Sequence, residues 1–210
     1  MPTTPRQKPV SPNNPCPFLR TLVAQGLVPD DVVPIGELTD AILKVARTGE
    51  GEPTLPAAAI RAVALAANGL GPLQLLRAGM DGVALNALRG GPLDKQGAGS
   101  GILSATATVD AEQLDRLDQF ASDHVNARGR KERGLDRAAL DRMMDANIER
   151  AASPRLLDRQ LMDGEWPILL QVMGKEGKAG RYLSVKEVSD LFLHRRFPRR
   201  MAAALKDQRG

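Results

Sequence analysis

A single cysteine is the residue whose setting in this sequence most clearly favours chemistry. Cys16 lies between Pro15 and Pro17, and an apolar helical pattern begins at Phe18. Pro15 holds the preceding Asn14 extended, whereas Pro17 fits the first turn of a helix, where its missing N–H costs nothing. This spacing predicts that Cys16 lies at or beside the N-cap of a helix. The free amides of the first turn and the positive end of the helix dipole would then stabilise a thiolate.

A structural role is the alternative interpretation of Cys16. An unpaired cysteine often behaves as a small buried hydrophobe, and in an arbitrary context that interpretation is the better one. The two flanking prolines favour a functional role here, because they fix the direction of the bond from Cβ to sulfur. This arrangement suits an anionic metal ligand on a rigid support.

Composition excludes several other kinds of site. One cysteine in 210 residues cannot form an internal disulfide framework or a zinc site built on several thiolates. Two histidines argue against a histidine-rich metal site. One Trp, one Tyr and four Phe are too few for the stacking platforms that recognise single-stranded nucleic acid. The length and the 42% hydrophobic content are typical of one globular domain.

The excess of positive charge is modest and local. The formal net charge is +4, and the basic residues concentrate in two clusters: Arg128, Arg130, Lys131 and Arg133, then Arg195, Arg196, Arg199 and Arg200. Such clusters contact phosphates in some proteins, but a solvated surface is the simpler interpretation, so we expect no nucleic-acid partner. We also expect no membrane contact, because no apolar run approaches the ~20 residues of a membrane span. The first 15 residues lack the apolar region of a signal peptide, which predicts a cytoplasmic protein with a reduced thiol.

The elements that position Cys16 are predicted to be helices. Residues 1–15 carry five prolines and are expected to form an extended N-terminal arm. Apolar periodicity and capping residues predict a mainly α, single compact domain over residues 16–205, with about seven to nine helices. Weak alternation over residues 102–109 allows one short strand. The predicted helical segments are 18–23, 38–46, 57–67, 73–78, 83–88, 114–121, 136–148, 155–173 with an interruption or kink at Pro167, and 184–192. Asp110, Asp136 and Ser184 are expected to cap the segments that follow them, and a basic loop is expected after residue 121.

Two segments resemble the haem-thiolate peroxidases, the family of the chloroperoxidases and unspecific peroxygenases. The first resembles the family's Pro-Cys-Pro segment, and it comprises Pro15-Cys16-Pro17, Leu19, Leu22 and Gly26-Leu27-Val28-Pro29. The second is similar to the family's later block, with Gly164-Glu165, Leu169-Leu170, Met173-Gly174, Val188, Leu191-Phe192 and Arg195-Arg196-Phe197-Pro198. Their order and rough spacing agree with the family over most of the chain.

The resemblance implies a helical domain around haem b, with Cys16 as the proximal iron ligand. Pro15, Pro17 and Phe18 would border the cofactor on the same side. Glu165 matches the family's distal acid–base glutamate, which moves a proton on iron-bound peroxide. The implied activity is oxidation of a small organic substrate by hydrogen peroxide, in a monomer or homodimer.

One departure from the family weakens the catalytic implication. The family carries Glu-His-Asp or Glu-Gly-Asp between the two blocks, whereas this chain has Ile102-Leu103-Ser104-Ala105-Thr106-Ala107-Thr108-Val109-Asp110 at that place. A cation near a haem propionate and a histidine partner for the glutamate therefore do not transfer. Arg159 or His124 would have to orient Glu165 instead. Glu165 also has a structural interpretation, as an acidic residue at a helix start that interacts favourably with the helix dipole.

Two rival functions follow from this departure. The first is a non-catalytic haem-thiolate protein for redox or gas sensing or for haem carriage, with the same ligation by Cys16. The second is a haem-free helical interaction protein that uses its basic C-terminal patch as a contact surface.

Overall fold

The structure is a computed structural model that describes residues 7–51, 60, 82–90, 94, 98–156 and 158–207. The helices predicted at 57–67 and 73–78 fall outside this described part. Nine α-helices are described: α1 (Pro17–Ala24), α2 (Ile35–Ala46), α3 (Ala111–Asp115), α4 (Leu117–Phe120), α5 (Arg137–Arg150), α6 (Asp158–Asp163), α7 (Trp166–Met173), α8 (Val185–His194) and α9 (Arg199–Asp207). The described strands are β1 (Val32–Val33), β2 (Val83–Ala84), β3 (Ser122–Val125), β4 (Lys131–Asp136), β5 (Lys175–Gly177) and β6 (Gly180–Ser184).

The fold is mixed α/β, so the prediction of a mainly α domain is wrong. Strands β3 to β6 form a four-stranded antiparallel sheet in the order β3-β4-β6-β5, and β1 pairs with β2 in a second, two-stranded sheet. The sequence pattern missed the larger sheet because its strands are short and rich in charged and glycine residues. Such segments carry little of the apolar alternation that marks a strand.

The basic segment that the sequence presents as a loop forms the β3–β4 hairpin. Asn126 shapes its turn, since its Oδ1 accepts hydrogen bonds from the amides of Arg128, at 2.9 Å, and Arg130, at 3.0 Å. Gly129 has a φ of +76°, a conformation that glycine adopts without steric cost. Side chain-to-backbone hydrogen bonds of this kind are a usual device of tight turns.

Two similar strand–helix units meet at the centre of the larger sheet. Strand β4 leads directly into α5 and strand β6 into α8, and Leu135 faces Leu183 where the two strands pair. Asp136 caps α5 as predicted, because its Oδ1 accepts from the amide of Ala139 at 2.8 Å. Ser184 is the N-cap residue of α8, as predicted, but its hydroxyl donates to Glu132 Oε2 at 2.9 Å and forms no capping hydrogen bond with the helix.

The described part of the N-terminal arm lies against α1. The amide of Lys8 donates to the carbonyl of Ala24, and the amide of Ser11 donates to Asp30 Oδ2. Val10 packs at the edge of the hydrophobic core, which lies between the helices and the larger sheet. The arm is thus anchored to the domain by hydrogen bonds and by one apolar contact.

Several local predictions are confirmed and others are wrong. The capping of α3 by Asp110 and the helices over α1, α2 and α5 are confirmed. The segment 83–88, predicted as a helix, forms β2 and a 3₁₀ turn over Leu85–Ala87. The proposed strand at 102–109 is a single bridge between Leu103 and Val109.

The predicted kink at Pro167 is a complete break between α6 and α7, with the proline in the first turn of α7. Among the described helices, none is long and apolar enough to cross a membrane.

Candidate functional site

Cys16 is the N-cap residue of α1, which confirms the position predicted for it. Its backbone is extended, with φ −86° and ψ 115°, and Pro17 follows in the first turn of the helix. The carbonyl of Cys16 accepts the first helical hydrogen bond from the amide of Arg20, at 2.9 Å. Cys16 is half-buried, so its thiol lies at the edge of the packed interior and not within it. This is the placement expected of a cysteine whose surroundings favour the thiolate.

A buried arginine and a buried asparagine hold Cys16 from the inside. Asn14 is completely buried, and its Oδ1 accepts from the amide of Cys16 at 3.1 Å. The guanidinium of Arg20 is also buried and donates to the carbonyls of Ser11, at 2.7 Å, and Asn14, at 3.1 Å. These bonds fix the turn that precedes α1, and with it the direction of Cys16.

Arg20, which interacts electrostatically with Cys16, lies among further charged groups. Burial lowers the pKa of Arg20, and the positive charge of Arg195 lowers it further, while Asp30 acts in the opposite direction. Even a lowered arginine pKa leaves the guanidinium charged at neutral pH. Arg20 also interacts electrostatically with Cys16, so its charge adds to the helix dipole in favouring an anionic sulfur.

Two buried nitrogen atoms in this region have no hydrogen-bond partner among the described residues. They are Nδ2 of Asn14, beside Cys16, and Nε of Arg195, whose charge reaches Arg20. Phe18 lies in the first turn of α1, partly buried, with its ring edge-on to Phe197 at a centroid distance of 5.5 Å. The cysteine therefore has unsatisfied donors, cations and an aromatic edge in its neighbourhood.

Glu165 and Arg159 lie on neighbouring elements, but each has its own surroundings. Glu165 is exposed at the N-cap of α7, where its carbonyl accepts from the amide of Leu169 at 2.8 Å. The Arg159 guanidinium contacts three carboxylates, those of Asp145 at 2.6 Å, Asp163 at 2.9 Å and Asp141 at 3.4 Å. These ion pairs raise the pKa of Arg159 and give it a structural role at the contact of α5 with α6.

His124, the other suggested partner of Glu165, belongs to the larger sheet. It is buried and stacks on Tyr182 with a centroid distance of 4.4 Å, and its Nε2 lies 3.1 Å from Ser122 Oγ. The contact with the Ser122 hydroxyl and the stacking on Tyr182 hold the imidazole in place. His124 therefore has a structural role in the sheet.

The sheet contains a polar cluster that the sequence did not reveal. Glu132 on β4 accepts hydrogen bonds from Lys175 Nζ at 2.5 Å, Tyr182 OH at 2.6 Å and Ser184 Oγ at 2.9 Å. Burial alone would raise the pKa of Glu132, but these three donors outweigh it and lower the pKa below its ordinary value. The one signal that could have indicated the cluster is the turn Lys178-Ala179-Gly180, which marks the β5–β6 hairpin.

The expectation of a metal-binding protein needs a correction. Across the described part of the chain, no group of three or more His, Cys, Asp or Glu side chains is arranged to hold a metal ion. A metal centre built from protein ligands alone is therefore not supported there. Pro15, Pro17 and Phe18, which were expected to border a cofactor, lie next to the single thiol of Cys16.

Comparisons with protein-family models, with curated proteins and with solved structures found no match. The fold and the site define a mixed α/β domain with one half-buried thiol at a helix N-terminus in a cationic setting. The family resemblance of the Pro-Cys-Pro segment is therefore carried forward only as a proposal.

Proposed function

We propose that this protein binds haem b, with the Cys16 thiolate as the axial iron ligand. The observation that carries the proposal is the position of Cys16 at the N-cap of α1, between two prolines and next to the buried Arg20 guanidinium. Haem iron takes four of its ligands from the porphyrin, so one thiolate from the protein suffices and no cluster of side chains is required. The lone cysteine is therefore compatible with haem, and so is the absence of a multi-ligand metal site from the described ranges.

The residues near Cys16 fit this group in their chemistry. The cations Arg20 and Arg195 would compensate the charge of an anionic ligand and of the haem carboxylates. Within the part of the chain that the structure describes, Asn14 Nδ2 and Arg195 Nε are donors without a hydrogen-bond partner, and an oxygen-bearing group would satisfy them. Phe18 offers an aromatic edge on the same helix turn. A reduced thiol is required throughout, which is why we retain the cytoplasm as the proposed compartment.

The activity we propose is oxidation of a small organic substrate by hydrogen peroxide, which bound haem would activate. In this proposal Glu165 takes up and returns a proton at its carboxylate oxygen. Glu165 is exposed, so bound substrate or haem would have to exclude water around it. Arg159 has no part in this step, because its guanidinium contacts Asp141, Asp145 and Asp163.

A specific observation favours the second candidate, a non-catalytic haem-thiolate protein. Glu165 is exposed, and Arg159, which was suggested to orient it, contacts Asp141, Asp145 and Asp163 instead. Sensing or carriage of haem needs the thiolate and no distal acid. The two candidates share Cys16 and differ in their dependence on Glu165.

The ligand is tested by the absorption spectrum of the reduced carbonyl complex after reconstitution with haemin. We expect the long-wavelength band that marks thiolate ligation in the wild type, and its loss in Cys16→Ala. Cys16→Ser is the matched control, because it keeps the size of the side chain but offers no thiolate. An unchanged band in the alanine variant, or a wild type that stays colourless, overturns the proposal.

The activity is tested by peroxide turnover with a small phenolic reductant. We expect Glu165→Ala to lower kcat by about 10²-fold or more, the range for loss of a positioned acid–base group. Glu149→Ala, an exposed glutamate on α5, is the matched control and should retain full turnover. Equal and negligible rates in wild type and Glu165→Ala would instead establish the non-catalytic candidate.

A further inference from the structure

A polar surface groove lies between α3 and the C-terminal end of α5, on elements that carry no part of the proposed haem site. Its volume is about 710 Å³, enough for a ligand of several heavy atoms. The residues that line it all have polar or charged side chains: Glu112, Gln113, Asp115, Arg116, Gln119 and Arg150. A groove of this composition suits a ligand with charged groups.

Two guanidinium groups in the groove meet at one neutral oxygen. Gln113 Oε1 accepts from Arg116 Nη1 at 3.2 Å and from Arg150 Nη1 at 2.5 Å. Within the described residues, neither arginine forms an ion pair with a carboxylate. Guanidinium groups bind carboxylates more strongly than amides, because the charge of the acceptor strengthens the hydrogen bonds. The amide oxygen of Gln113 thus occupies the place where a carboxylate oxygen would be favoured.

A buried, incompletely bonded side chain adjoins this pair. Asn147 is 4% exposed, and its Oδ1 accepts from Arg150 Nη2 at 3.2 Å. Its Nδ2 is buried and has no hydrogen-bond partner among the described residues. Arg150 Nη2 also donates to the carbonyl of Ser100, at 3.4 Å. The described hydrogen-bond acceptors of Arg150 are therefore all neutral, and none of them offsets its positive charge.

Two carboxylates on the same lining restrict the ligand further. Glu112 and Asp115 line the groove and are exposed. Among the described ion pairs, neither carboxylate lies within 4 Å of a guanidinium nitrogen of Arg116 or Arg150. A ligand that carried only negative charge would be repelled by them. We propose that the groove binds a small zwitterion, such as an amino acid or dipeptide. Its carboxylate would replace Gln113 Oε1 at the two arginines, and its ammonium group would face Glu112 and Asp115.

The proposal is tested by titrating the ¹⁵N-labelled full-length protein with glycylglycine and following its amide and arginine Nε signals. We expect saturable shifts at Gln113 and Arg150 in the wild type. Arg150→Gln should weaken binding by about tenfold, the effect of losing one charge-assisted pair. Arg142→Gln is the matched control, because Arg142 is an exposed arginine on the same helix and does not line the groove.

Two further titrations test the charge pattern. Sodium acetate, which has the carboxylate alone, should bind more weakly than glycylglycine. In the double variant Glu112→Gln/Asp115→Asn, acetate and glycylglycine should bind with equal affinity. Acetate should bind this variant at least as strongly as it binds the wild type. Absence of saturable shifts in the wild type, unchanged affinity in Arg150→Gln, or equal affinity for acetate and glycylglycine would each overturn the proposal. None of these outcomes depends on haem or on Cys16.

Discussion

At the scale of single residues, Glu132 accepts three side-chain hydrogen bonds from neighbouring strands. It joins three elements, because its donors Lys175, Tyr182 and Ser184 come from β5 and β6 while Glu132 itself lies on β4. Tyr182 is completely buried, and burial together with the hydrogen bond to Glu132 raises the pKa of its hydroxyl, which stays protonated and donating. A partly buried charge with this many donors stabilises the fold only while all of them remain.

We predict that Glu132→Gln lowers the free energy of unfolding by about 2–4 kcal/mol at neutral pH, because the ammonium group of Lys175 loses its nearest counter-charge. Urea denaturation followed by circular dichroism measures this change. Glu149→Gln, an exposed carboxylate on α5, is the control and should change stability by less than about 0.5 kcal/mol. A loss of that smaller size in Glu132→Gln would contradict the prediction.

The same residue predicts a pH dependence. Since the folded-state pKa of Glu132 is lowered, its stabilising contribution is complete above its ordinary value of 4.5 and is lost as the pH falls through the folded-state value. The stability difference between wild type and Glu132→Gln should therefore shrink as the pH is lowered below about 4.5. A difference that stays constant from neutral to acid pH would show that Glu132 does not titrate in this way.

At the scale of elements, the larger sheet depends on a close approach between backbone and aromatic ring. Gly134 pairs with Ser184 across β4 and β6 and lies against the stacked rings of His124 and Tyr182. A Cβ atom at position 134 would overlap the Tyr182 ring and come within 2.9 Å of His124 Cδ2. Since Tyr182 has no exposed surface, its ring has no free space into which to move.

We predict that Gly134→Ala destabilises the protein by about 1–3 kcal/mol through overpacking. The near-ultraviolet circular dichroism of the single tyrosine should change with it, because the stack with His124 is disturbed. Gly36→Ala is the matched control: nothing lies within 4 Å of a Cβ at that site in α2, so the change should be neutral or stabilising. Equal effects of the two substitutions would refute the packing argument.

At the scale of the whole molecule, the arm and the distant elements are joined through buried polar groups. Arg20 on α1 donates to the arm at Ser11 and Asn14, and the amide of Arg89 donates to the carbonyl of Asn13 at 2.9 Å. Gln7 and Gln25 both donate to the carbonyl of Arg195, at the end of α8. The position of Cys16 therefore depends on contacts that are far apart in sequence.

We predict that Arg20→Gln releases the arm and lowers the free energy of unfolding by about 1.5–3 kcal/mol, the range for hydrogen bonds to a charged group. Hydrogen exchange at the amides of Lys8 and Asn14 should accelerate, because their acceptors lie in the arm and in α1. Arg47→Gln, an exposed arginine after α2, is the control and should leave both rates unchanged. Unaltered exchange at Lys8 and Asn14 in Arg20→Gln would show that other contacts hold the arm.

The sequence alone determined what depends on neighbouring residues. Proline geometry placed Cys16 at the start of α1, and capping side chains placed the starts of α3 and α5, because these preferences act within one helical turn. Only the tertiary structure decided the four-stranded sheet, since β4 and β6 are about fifty residues apart and their pairing leaves almost no trace in local apolar alternation. It also decided the partners of charged residues: Arg159 contacts aspartates from α5 and α6, and Glu132 gathers donors from two other strands. The helix-start position of Cys16 thus follows from its neighbours in sequence. The approach of Arg195 to Arg20, which itself interacts with Cys16, depends on tertiary folding.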